Sequence, residues 1–194
     1  MRLRNLVLCL CLGTLAQAAS VPFPLPDVPI PEAGGAPQLS ADGKTFTMPK
    51  PSSATIDLKK YRGKAVILAM ISMTCGHCVN AVQYLIELQK EYGPQGLQVV
   101  GVAGDQHADK DLPLWLQRFR PNFPFGYLAQ APFLKLAGLP SDGRPFAPVI
   151  LFVDPEGVVR DRKFGNDSDM KSVETALLHG TRILMSMSAP LLKK

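Results

Sequence analysis

Residues 65–71 (Ala-Val-Ile-Leu-Ala-Met-Ile) form an unbroken apolar run that opens after Gly63-Lys64. A run of this length and character predicts a strand covered on both faces, hence a central one. Residues 97–103 and 149–153 share that character. Residues 158–162 follow the latter across Asp154-Pro155-Glu156-Gly157, a strong turn signal, so these two segments predict a hairpin. Between the first two strands Cys78, Val82, Leu85, Ile86 and Gln89 recur at helical spacing, and Tyr92-Gly93-Pro94 ends the pattern. Residues 111–119, 131–137 and 168–187 predict three further helices, the last with Met170, Val173, Leu177, Ile183 and Leu184 at apolar positions. This order is that of an α/β fold in which a central mixed β-sheet is flanked by helices on both faces.

Upstream of that pattern the chain changes character twice. Met1-Arg2-Leu3-Arg4-Asn5 is basic, residues 6–15 are apolar, and Ala16-Gln17-Ala18 is a small-residue site, which together read as a secretory signal over residues 1–19. The apolar run falls short of the roughly 20 residues that span a bilayer core, so cleavage is expected rather than anchoring. Prolines 22, 24, 26, 29, 31 and 37, with Gly34 and Gly35, then resist helix and sheet alike. Residues 20–38 are read as a linker or a surface strap, and 39–194 as the folded domain.

Composition narrows the function. Hydrophobic residues make up 46% of the chain against 19% charged, enough for one domain with a real core. The net charge of +5 includes Arg2 and Arg4; without them 19 basic residues face 16 acidic ones, +3. The basic residues are scattered and form no stripe interleaved with aromatics, so no nucleic-acid partner is expected.

Export removes Cys9 and Cys11 and leaves one pair, Cys75 and Cys78, separated by Gly76 and His77. A disulfide closing so short a loop would constrain the unfolded chain little, which argues against a structural staple. The pair lies where a buried strand passes into a helix. Cys75 falls at the helix start, where unpaired N–H groups and the positive end of the helix dipole stabilise a thiolate, so it is the expected nucleophile. Cys78, one turn on and shielded by the helix, suits the resolving role. A protonated His77 adds positive charge beside Cys75, which stabilises the reduced form and makes the disulfide a better oxidant. Structural zinc is disfavoured because the mature chain has no second cysteine pair, and His107 and His179 stand far off without paired spacing. No metal and no cofactor is expected.

The chain resembles the thioredoxin-like proteins of the TlpA and ResA kind, within the wider redoxin group. The resemblance covers residues 55–184: the run Ile56 to Lys64, the Cys75-Gly76-His77-Cys78 centre, residues 146–159 (Phe-Ala-Pro-Val-Ile-Leu-Phe-Val-Asp-Pro-Glu-Gly-Val-Val), and Gly165 before the last helix. It implies a thioredoxin-like fold and thiol-disulfide oxidoreductase activity. It also implies a cis proline facing the cysteines, here Pro148, with Ala147, Gly76 and Thr74 beside it as substrate-binding positions. Thr74 stands where the family commonly has Trp, Gly76 where Pro is frequent, and Ala147 where Thr is frequent. The Cys-Gly-His-Cys centre is similar to that of protein disulfide isomerases. No acidic residue occurs in 65–74 to match the buried carboxylate of thioredoxin, which leaves the redox direction open.

The leading expectation is therefore an enzyme in the periplasm or at the outer face of the cell membrane. Its partners are protein substrates with thiols or disulfides, and a membrane electron donor if it works as a reductant. Two alternatives share the fold. One is a peroxiredoxin-like peroxidase, for which Ser72 stands three residues before Cys75 but Leu68 replaces an expected proline. The other is a copper-binding assembly factor holding Cu(I) through Cys75, Cys78 and a histidine such as His107 or His179, although such proteins usually space the cysteines by three.

Overall fold

The computed structural model describes residues 18–34, 38–42, 44–47 and 52–188. Its elements begin with five two-residue strands: β1 (Phe23–Pro24), β2 (Ile30–Pro31), β3 (Gln38–Leu39), β4 (Phe46–Thr47) and β5 (Thr55–Ile56). There follow β6 (Ala65–Ile71), α1 (Gly76–Tyr92), β7 (Leu97–Ala103), α2 (Ala108–Phe119), β8 (Phe125–Tyr127) and α3 (Gln130–Leu136). The chain closes with β9 (Val149–Val153), β10 (Val158–Phe164), a 3-10 turn at Ser168–Ser172 and α4 (Val173–Ser188).

The main sheet has the order β1-β10-β9-β6-β7-β8. β6 runs parallel to β7, with Ala65 beside Leu97, and antiparallel to β9, with Ile67 beside Phe152. Every side chain of β6 is buried, and alternate residues enter different cores. Ala65, Ile67, Ala69 and Ile71 pack with Val82 and Leu85 of α1, Leu112 of α2 and Leu177 of α4. Val66, Leu68 and Met70 pack on the other face with Phe133 and Leu136 of α3. Burial on both faces is why the strand is apolar throughout instead of alternating. The result is a thioredoxin-like α/β fold with helices on both sides of a mixed sheet.

The proline-rich segment departs from the expected boundary at residue 39. Phe23 pairs with Val159 as part of an antiparallel edge strand, and Ile30 pairs with Ile56. Phe23, Val28 and Ile30 belong to the same core as Val66 and Leu68, with Ile30 fully buried. Proline is tolerated here because an edge strand has one row of N–H groups with no partner to serve. The apolar residues between the prolines supply the burial. Ala19, read from the sequence as the end of the leader, also joins the domain: its N–H donates to Gly138 O at 2.8 Å and its carbonyl accepts from Arg162 Nη2 at 2.9 Å. Residues 1–17 and 189–194 lie outside the described residues, so the leader and the last six residues of the expected domain carry no structural account.

Smaller differences have local causes. α2 begins at Ala108, three residues before the expected start, and so carries Pro113 in its interior. Burial of Ala108 and Leu112 against the sheet outweighs the hydrogen bond that the proline removes. β8 was not legible, since three residues flanked by Pro124 and Leu128 show no periodicity. β10 continues two residues past 162, to Phe164. The hairpin turn is as expected, with Gly157 at φ +77° donating its N–H to Asp154 O at 2.8 Å.

Candidate redox site

Cys75 is the N-cap of α1, in extended conformation, and its carbonyl accepts from the N–H groups of Cys78 (3.1 Å) and Val79 (3.2 Å). β6 delivers the chain to this point from the middle of the sheet, so the sulfur stands at the positive end of a 17-residue helix. Both cysteines are free thiols with different surroundings: Cys75 is half-buried, whereas Cys78 is 0% exposed. Burial pushes the Cys78 thiol well above the usual range. Its hydrogen bond with Cys75 and the charges of Cys75 and Asp105 add to the effect, while the Ser72 backbone works against it. Thr74, Gly76 and His77 are all exposed on the surface around Cys75.

Sequence reasoning missed Asp105, at the end of β7. Its two carboxylate oxygens accept Ser72 Oγ–H at 2.8 Å and the Met73 N–H at 2.9 Å, fastening the turn that leads into Cys75. Parallel pairing of β6 with β7 creates this neighbourhood, with Ile71 beside Ala103. This carboxylate lies two residues past the end of the adjacent strand, 32 residues away from Met73. A lone aspartate after a β-strand carries no distinguishing signal in sequence.

The other wall of the site is the segment ahead of β9. The Ala147–Pro148 peptide bond is cis, and the Ala147 carbonyl accepts from Cys75 Sγ at 3.7 Å. Pro148 is buried and Ala147 half-buried. Gly165, beyond the end of β10, donates its N–H to Phe146 O at 2.9 Å. A Cβ at Gly165 would stand 2.2 Å from Ala147 O, so only glycine permits this approach. Cys75, Cys78 and Ala147 are thereby brought together from residues remote in sequence. A cleft of about 840 Å³ continues from Ala147 past Ser72, Asp105, Tyr127 and Leu134.

Features tied to the alternatives lie as follows. Ser72 directs its hydroxyl to Asp105, and Leu68 is buried in β6. His107 caps α2 and His179 lies on α4. Among the described residues no group of three or more His, Cys, Asp or Glu side chains is arranged to hold a metal ion.

A thiol pair at the β6–α1 turn, a carbonyl from the strand entry opposite and this sheet order define a thioredoxin-like fold with a two-cysteine centre. Residues 40–162 match the model of the AhpC/TSA family, and the chain belongs to that family. It is 29% identical over 142 residues to Protein DipZ of Mycobacterium bovis and of Mycobacterium tuberculosis. That match takes in 73% of this chain but only 20% of each relative, so the chain spans about a fifth of their length. Among solved structures it is similar to a hypothetical protein of Sinorhizobium meliloti (TM-score 0.61, 17% identity, 88% of this chain and 87% of the other). It is also similar to the thioredoxin domain of a thiol-disulfide oxidoreductase of Bacteroides vulgatus (TM-score 0.53, 16% identity, 81% of this chain and 94% of the other).

Proposed function

We propose that this chain is exported and exchanges disulfides with protein substrates through Cys75 and Cys78. The Cys75 thiolate attacks a substrate disulfide: the substrate S–S bond breaks, one substrate sulfur leaves as a thiolate and takes up a proton, and the other stays bonded to Cys75. Cys78 then gives up its proton and attacks Cys75, which releases the second substrate sulfur and closes the Cys75–Cys78 disulfide. The substrate gains the two electrons that the dithiol loses; the same steps in reverse oxidise a substrate dithiol. In the reducing direction a membrane electron donor restores the dithiol.

The observation that carries this reading is the unequal exposure of the two cysteines, the more exposed of which meets the Ala147 carbonyl. The half-buried sulfur is the one an incoming disulfide can reach, and the buried one meets only a partner already bonded to Cys75. Export rests on the basic start, the apolar run and the Ala16-Gln17-Ala18 site. No helix among the described residues is long and apolar enough to cross a membrane.

The test is trapping with scrambled ribonuclease as the disulfide substrate. Reduced Cys78→Ser is expected to accumulate a mixed disulfide visible on a non-reducing gel, and Cys75→Ser to accumulate none. The opposite pattern reverses the roles, and adducts with neither variant overturn the reading.

A further inference from the structure

Of the large apolar side chains that stand in solvent among the described residues, Phe146 is the most exposed, at 64%. A single exposed ring is ordinary on a protein surface. Its place makes this one different. Phe146 directly precedes Ala147, whose carbonyl meets the Cys75 sulfur at 3.7 Å. Its own carbonyl is held by the Gly165 N–H at 2.9 Å, so the ring is presented from a fixed backbone. Its two chain neighbours, Pro145 and Ala147, both line the cleft of about 840 Å³, whereas Phe146 does not. The ring is therefore in solvent, carried by a backbone whose flanking residues line that cleft.

The backbone beside the ring is open to a partner. The Ala147 N–H meets no acceptor among the described residues, and Pro148 has no N–H to give. An extended polypeptide can pair along such an edge, and alternate side chains of an extended chain face the same way. A substrate cysteine brought to Cys75 by that pairing leaves an adjacent substrate side chain at the ring. An aromatic face in water rewards an apolar neighbour there more than a polar one.

We propose that Phe146 is a specificity-determining residue, receiving an apolar side chain next to the exchanging cysteine of an extended protein substrate. The proposal deepens the thiol-exchange reading above and rests on it. An aromatic contact of this kind corresponds to a preference of about five- to tenfold.

The experiment uses the full chain, reduced, with two decapeptides. Each carries one cysteine as a mixed disulfide with thionitrobenzoate, flanked by leucine in one and by serine in the other; hydroxyethyl disulfide, which has no side chain next to its disulfide, is the third substrate. The wild type is expected to prefer the leucine peptide about five- to tenfold in kcat/KM. Phe146→Ala loses that preference through KM, and slows on hydroxyethyl disulfide by less than twofold. Phe146→Leu restores most of the preference, which a role in folding alone would not explain. Equal treatment of the two peptides by the wild type overturns the proposal, as does a Phe146→Ala variant that slows equally on all three substrates. If the wild type reduces none of the three, the exchange reading itself fails and the assignment of Phe146 falls with it.

Discussion

Asp105 Oδ2 accepts the N–H of Met73 at 2.9 Å, tying the end of β7 to the turn that enters the redox helix. The same carboxylate takes the Ser72 hydroxyl on its other oxygen, and its charge bears on the buried Cys78 thiol.

Two substitutions at Asp105 separate these effects. Asp105→Asn keeps an acceptor for Met73 and removes the charge, so it should stay within about 1 kcal/mol of the wild type while Cys78 titrates at lower pH. Asp105→Ala also leaves the Met73 N–H without its partner and should cost about 1–3 kcal/mol. Thermal unfolding and pH-dependent alkylation of Cys78 read the two outcomes.

The buried Cys78 thiol makes the reduced protein sensitive to alkali. Its folded pKa lies above the unfolded value, so its contribution is complete below about pH 8.5 and is lost as pH climbs from there toward the folded value. Urea unfolding of the reduced protein should show stability falling by up to about 1.4 kcal/mol per pH unit above that point, relative to Cys78→Ala. Parallel curves for the two proteins would rule this out.

His77 is exposed in the first turn of α1, beside Cys75. Replacing it with proline removes an imidazole that, when protonated, favours the thiolate, so the couple should become more reducing by roughly 10–30 mV. Redox titration of the two proteins gives the answer; equal potentials would make His77 a bystander.

Gly165→Ala forces a methyl group against the Ala147 carbonyl, 2.2 Å away before any adjustment. The backbone must yield, at a cost of about 1–3 kcal/mol. Because the displaced atoms carry the carbonyl facing Cys75, exchange with scrambled ribonuclease should slow more than reaction with hydroxyethyl disulfide. A lower midpoint of unfolding with equal slowing on both substrates would separate packing from docking.

Much of this protein was legible one residue type at a time. The apolar run 65–71, the Asp154-Pro155-Glu156-Gly157 turn and the pair Cys75/Cys78 at a strand-to-helix junction are local signals, because burial on two faces, a left-handed turn and a helix start each restrict the residues nearby. Asp105 carried no such signal, and Phe146 and Gly165 entered only as parts of a family resemblance, without a role of their own. Their places depend on pairings between segments far apart in the chain: β7 against β6 sets Asp105 beside Met73, and the approach of Gly165 to Ala147 fixes the backbone that carries Phe146. The proline-rich segment belongs with them. Its composition predicts extended backbone, but docking on Val159 and burial of Ile30 are decided by the open edge of β10 and the uncovered face of the sheet. Local sequence restricts which backbone conformations are allowed, whereas burial and hydrogen bonding between distant segments choose among them, and those energies exist only once the chain has folded.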